Sequence, residues 1–238
     1  MTRIMMFFGL ALAQIAAGCA DRPDSPLGAA AAADDAAEVQ RLLAAGHGVN
    51  DVGPDGGTPL IAAVRHDALN AMRALLAAGA NPDLEDSRGT GWSPLKHAIH
   101  TRHPNALRIL LESGADPNLR GRSGEVPLTM AAGEEDPVYV KLLLAYGADP
   151  RGDRNQGSQV LSKAVSGGAL DDIDRPLLGG CHPQTVRALL DHDPTLHLSS
   201  AYVPSRRARW IARFHGCREV LRLVELADQR ARTKTPSK

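Results

Sequence analysis

His97, His100 and His103 stand three residues apart and form the arrangement in this chain nearest to a metal site. Imidazole nitrogens are common zinc ligands, and on a helix a spacing of three lines the rings along one slowly drifting face. No cysteine or carboxylate at ligand spacing joins them, and Pro104 follows at once. They read as surface histidines beside a binding ridge, with no metal and no cofactor expected. The chain also lacks a glycine-rich phosphate loop, a Gly-x-Ser-x-Gly turn and a His-Glu-x-x-His helix. It is therefore expected to be non-catalytic, and its function has to come from a surface.

The elements that would carry such a surface are legible from composition and period. Apolar residues make up 43% of the 238, but aromatics only 3%, so the core has to be built from Ala, Leu and Val in closely packed, thin helices. The formal charge of zero is unevenly spread: residues 19–204 hold 16 Lys+Arg against 24 Asp+Glu, whereas residues 205–238 hold 10 against 3. The result is an acidic body and a basic end. Nucleic acid is not expected as a partner, because no stacking aromatics are read between the arginines of that end.

Ser25-Pro26-Leu27, Thr58-Pro59-Leu60, Ser93-Pro94-Leu95 and Val126-Pro127-Leu128 open four units, with a fainter fifth at Gln159-Val160-Leu161, at spacings of 33, 35, 33 and 33. Each of the first four closes on a leucine-rich stretch ending at Gly46, Gly79, Gly114 or Gly147. The pattern resembles the ankyrin repeat over about residues 25–194. That resemblance implies an all-α solenoid of stacked helix-turn-helix units with hairpin-like loops, about five repeats plus a C-terminal capping helix pair. Pro26, Pro59, Pro94 and Pro127 suit the first helical position, which has no donor to lose. Ala30, Ala63, Ala98, Ala131 and Ala164 let neighbouring units approach, and the glycines suit helix ends in the left-handed region. Pro104, Pro137 and Pro183 mark second helices. The expected units are 25–57, 58–92, 93–125, 126–158 and 159–200, with a cap at 201–226 and a charged, disordered tail from 227 to 238. About 13 extra residues lie between Gly168 and His182. The histidine that usually follows Pro-Leu is replaced by Gly28, Ile61, Lys96, Thr129 and Ser162, so its hydrogen-bond network is not expected.

Residues 1–17 hold one cation, Arg3, then an apolar run from Ile4 to Leu12 and small residues, the layout of a secretory signal. The segment ends Ile15-Ala16-Ala17-Gly18-Cys19, which resembles a bacterial lipobox, with Ala16 where leucine is usual. This implies a signal at 1–18, lipidation of Cys19, a short tether at 19–24 and a place on the periplasmic side of the envelope, on the outer membrane by sorting. The alternative is an ordinary signal cut after Ala20 and a soluble periplasmic chain. In either case Cys181 and Cys217 meet an oxidising compartment, and both precede second helices of adjoining units. Equivalent positions in stacked repeats lie about 10 Å apart and a disulfide needs about 7 Å or less. Bridged and free thiols are therefore both open.

By the resemblance, partner contacts fall on loop tips and on the inner edge of first helices: Asp55, Arg65 and His66; Ser87, Arg88, Trp92, His100 and Thr101; then Arg122, Glu125 and Glu134. Trp92 follows a loop, Ser87 to Gly91, that carries the two extra residues of the 35-residue unit. It reads equally as an interface hot spot or as a ring packed on its own hairpin stem. The expected function is a monomeric, membrane-tethered scaffold that binds a periplasmic or surface protein. Alternatives are an immunity-type inhibitor of a secreted toxin and a structural lipoprotein touching anionic lipid through its basic cap.

Overall fold

The computed structural model describes residues 25–122, 124–152, 157–167, 181–198 and 203–234. The described residues hold twelve helices in six antiparallel pairs and no strand: α1 (Pro26–Ala32) with α2 (Ala36–Ala44), α3 (Pro59–Arg65) with α4 (Leu69–Ala77), and α5 (Pro94–His100) with α6 (Pro104–Glu112). The series continues with α7 (Pro127–Ala132) and α8 (Val138–Ala145), α9 (Ser158–Ser166) and α10 (Pro183–His192), then α11 (Val203–Phe214) and α12 (Arg218–Lys234). Four first helices begin on their prolines, and two of these starts are capped: Ser25 Oγ accepts from Gly28 N at 3.0 Å and Thr58 Oγ1 from Ile61 N at 3.2 Å.

First helices stack on first helices from α1 through α11, and second helices on second helices from α2 through α12. Ala63, Ala98, Ala131 and Ala164 are fully buried where successive first helices meet, and Ala208 takes the same place in α11. A larger side chain there would hold the units apart. The leucines of the second helices fill the layer between, as Leu75, Leu110 and Leu143 show by being wholly buried. Gly46, Gly79, Gly114 and Gly147 end their second helices at φ 94°, 88°, 86° and 88°, a conformation that L side chains adopt only with strain.

Side chains pin each unit to the next. Asp34 accepts from the backbone N–H groups of Asn70 and Ala71 at 2.8 Å each, capping α4, whose own preceding residue Ala68 has no side-chain oxygen. Asn50 accepts from Asn81 N, Asp83 from Asp116 N, and Asn118 from Asp149 N, at 2.8, 2.9 and 2.8 Å. The hairpin tips are tied in the same way. Ser87 N donates to Gly56 O at 2.8 Å and the Arg88 guanidinium to Pro54 O at 2.6 Å. Ser87 and Arg88 thus hold the preceding tip, which gives the extended loop a stacking role.

Two further differences lie at the C-terminal end. The tail expected to be disordered from residue 227 is helical to Lys234, because Ala227 and Val224 remain buried against the cap and Asp228 accepts from Arg209 at 2.6 Å. Cys181 and Cys217 are joined in a disulfide with Cα atoms 5.4 Å apart, far closer than the helix-packing distance that left the bridge open. Each lies just before its helix rather than on it, so the two loops approach where the helix axes cannot. The expected signal, Cys19, the tether and the insertion after Gly168 lie outside the described residues.

Candidate partner-binding face

The face formed by first helices and hairpin tips is hollowed between the first two units. A groove of ≈ 330 Å³ is floored there by Gly28, Ala29, Ala32, Pro59 and Ala62 and rimmed by Asp55, Arg65 and His66. Small side chains make it: the alanines that let helices approach also leave the surface over them hollow. Arg65 donates to Asp55 at 3.0 Å with both groups partly exposed, which fixes the rim while leaving charge available to a ligand. His66 is exposed beside them.

At the next junction, between the second and third units, Asp86 organises the hairpin that carries Trp92. Its buried carboxylate accepts from Thr90 Oγ1 and Gly91 N at 2.8 Å, from Trp92 N at 3.3 Å, and from His97 Nε2 at 3.0 Å. Burial works to raise the Asp86 pKa, but these hydrogen bonds outweigh it and hold the carboxyl below the usual range. Burial, with the nearby Arg65 charge, pushes His97 down to about 4 despite the bond to Asp86. At neutral pH the imidazole is therefore uncharged and its Nε2–H donates to a carboxylate, so the contact is a hydrogen bond and not an ion pair.

The other two histidines of the triplet point elsewhere. His103 donates from Nδ1 to Val64 O at 2.9 Å, and His100 is exposed with its ring 4.9 Å from that of Trp92. No group of three His, Cys, Asp or Glu positioned for a metal exists among the described residues. Trp92 is half-buried between His97 and His100, so its ring braces the stem while one edge reaches the face.

The remaining expected contacts divide into exposed and engaged groups. Ser87 and Arg88 are exposed on the tip that holds its neighbour. Thr101 donates its hydroxyl to His97 O at 2.8 Å and so finishes α5. Arg122 receives the Glu85 carboxylate on its backbone N–H at 3.1 and 3.2 Å and gives its guanidinium to Asp86 O. Glu125 pairs with Lys163 at 3.3 Å, and Glu134 with Arg102 at 3.2 Å. These last four serve the solenoid first and a ligand second. Together the positions form one ridge, from Asp55 to Glu134, along the first-helix side.

Residues 27–121 match the family model for ankyrin repeats, in three copies. The fold is an ankyrin-repeat solenoid. No curated protein matches the sequence. Ankyrin repeats are in general protein–protein interaction modules, which agrees with a first-helix face that offers a groove and charged rim. In this ankyrin array the helical pairing continues past the matched residues, through α7 to α12, with the same buried alanines.

Sequence reading missed three features. Lys96, where histidine is usual, is completely buried and donates to Arg120 O at 3.1 Å; burial lowers its pKa, against the opposing charges of Glu125 and Glu85. The Asp86 hub was missed because its ligands are mostly backbone N–H groups, which no side-chain motif encodes. On α11, Trp210 and Phe214 are exposed and stacked on each other between arginines, with ring centroids 5.5 Å apart. This corrects the reading that no aromatics interleave the arginines. The signal was present in the i, i+4 spacing of two aromatics opposite Ala208 and Ala212.

Proposed function

We propose that this chain is a non-catalytic binding scaffold of the bacterial envelope, lipidated at Cys19 and facing the periplasm, that grips a protein partner with its first-helix face. The observation that carries the binding half is the groove over Ala29, Ala32 and Ala62. It is a hollow of side-chain size with a fixed Asp55–Arg65 pair and a free His66 on its rim. A projecting side chain of the partner fills it while polar groups meet the rim, the usual division between an anchoring core and a polar border. The acidic body, with 24 acidic against 16 basic residues over 19–204, steers a basic partner toward the face. The lipobox-like Ala16-Ala17-Gly18-Cys19 supports the envelope half.

The two halves are tested separately. Ala62→Arg fills the groove from its floor without touching the buried stacking position Ala63. The account expects partner capture to fall at least about 30-fold, equivalent to about 2 kcal/mol, with the helical circular dichroism unchanged. Undiminished capture by the folded variant contradicts the site. For the anchor, intact mass of the mature chain should show a lipid-modified residue at position 19, and Cys19→Ser should leave the membrane fraction. An unmodified mature N-terminus at Asp21 contradicts it.

A further inference from the structure

Six large apolar residues are exposed among the described residues: Val52, Tyr146, Val203, Trp210, Phe214 and Leu226. Three of them, Val203, Trp210 and Phe214, lie on α11 at 62%, 60% and 61% exposure. At about 100° per residue they fall within roughly 40° of one another around the helix, forming a single stripe. Measured from the middle of that stripe, Arg206 and Arg213 lie about 60–80° to one side and Arg207 about 40° to the other. All three arginines are exposed, and α11 holds no acidic residue. The opposite side, Ser205, Ala208 and Ala212, is buried against α9.

The stripe lies on the last first helix among the described residues. The positions matching Arg206 in the earlier units, Ile61, Lys96, Thr129 and Ser162, are each at most 1% exposed because the next unit covers them. Among the described residues no helix stacks on the outer side of α11 to cover Arg206, which is exposed. A terminal unit needs polarity on its outer face, and the arginines supply that. Trp210 and Phe214 do not; two aromatic rings left in water are the opposite of a cap.

We propose that α11 is a membrane-contact element that seats Val203, Trp210 and Phe214 in the interface of an anionic bilayer, with Arg206, Arg207 and Arg213 reaching the lipid phosphates. The stripe is a convex ridge with cations along both flanks. That form suits a broad surface whose apolar layer lies under an anionic one, with the long arginines extending to the headgroups as the rings go below them. A basic balance of 10 to 3 over residues 205–238 adds attraction to acidic lipid. Nucleic acid fits less well. The two rings lie within 18° of parallel on each other, so neither presents both faces to a base. A second copy of the chain fits less well too, because a two-fold contact of the stripe with itself would bring the arginine flanks of both copies together with no acidic residue on α11 to offset them. The contact is independent of the groove at Ala62 and of the anchor at Cys19.

The experiment reads Trp210 itself, so that attachment through any other part of the full chain does not count. In the Trp92→Phe full-length protein Trp210 is the remaining one of two tryptophans. Its emission is followed with vesicles of phosphatidylglycerol and phosphatidylcholine in equal parts, and with phosphatidylcholine alone, each with brominated acyl chains as quencher. A blue shift and quenching on the anionic vesicles, weakened by salt, is expected. The triple variant Arg206→Glu, Arg207→Glu, Arg213→Glu should need on the order of a hundredfold more lipid. Should Trp92→Phe not fold, the difference between wild-type and Trp210→Phe quenching isolates the same signal. The proposal is overturned if Trp210 stays in water while the chain is on anionic vesicles, if zwitterionic vesicles quench it equally, or if the triple variant behaves as wild type. It is equally overturned if oligothymidylate or self-association shifts Trp210 at concentrations where anionic lipid does not.

Discussion

Replacing Asp86 with alanine tests the hub that shapes the binding ridge. The carboxylate serves four donors, at 2.8, 2.8, 3.0 and 3.3 Å. Of these, Gly91 N and His97 Nε2 are buried where water cannot replace the lost acceptor, whereas Thr90 is exposed and the Trp92 amide half-open. An orphaned buried donor costs about 1–3 kcal/mol, so the two together amount to about 2–6 kcal/mol. For a chain of this size that is roughly 5–20 °C in Tm. Urea unfolding followed by circular dichroism measures the loss, and hydrogen exchange locates it. Exchange of the Gly91 and Trp92 amides should accelerate most, while α9 to α12, which share no contact with Asp86, should keep their protection. Asp86→Asn retains one acceptor oxygen and should lose less. A Tm within about 2 °C of wild type, with the Gly91 and Trp92 amides still protected, would refute the reasoning.

Stability should rise with pH between about 4 and 6.5, because His97 is held at about 4 when folded and returns toward 6.5 when unfolded, so the unfolded chain binds the extra proton in that window. The effect is about 3 kcal/mol at most, and His97→Asn should flatten the slope to the part contributed by His182, whose pKa burial also lowers. A slope unchanged in His97→Asn would show that the imidazole titrates normally. Below about pH 4 a further loss is expected, because Asp86 takes up a proton in the unfolded chain before it does in the fold, where its donors hold it below the usual range. Reducing Cys181–Cys217, which closes a 36-residue separation, should lower stability by about 3–4 kcal/mol. Two free thiols in unreduced, unfolded protein would rule the bridge out.

Most of the scaffold was legible because its requirements fall on residue types. A proline at a helix start, an alanine at a helix crossing and a glycine at positive φ leave the same letter in each of the first four units, and Pro59, Ala63 and Gly79 occupy the places their types imply. The ridge was legible only as positions. Sequence spacing put Arg122, Glu125 and Glu134 on it, but not their ties to Glu85, Lys163 and Arg102, since those partners sit 32 to 38 residues away from them and depend on how units stack. Asp86 was invisible for a related reason: three neighbouring donors and a histidine eleven residues on become its ligands only when the loop closes. The end of the array was misread because a tail of mixed charge looks unstructured until buried Val224 and Ala227 are seen to hold it.

The central claim, that a protein partner occupies the first-helix face, is tested most directly by photo-crosslinking in living cells with a benzophenone side chain placed at single positions. His66 and His100 are exposed on the proposed face, and Arg73 and Arg108 are exposed on second helices behind it. The account predicts one discrete crosslinked species from positions 66 and 100, absent from 73 and 108 and abolished by Ala62→Arg. Crosslinks from 73 and 108 as strong as those from 66 and 100, or crosslinks at 66 that survive Ala62→Arg, would contradict it.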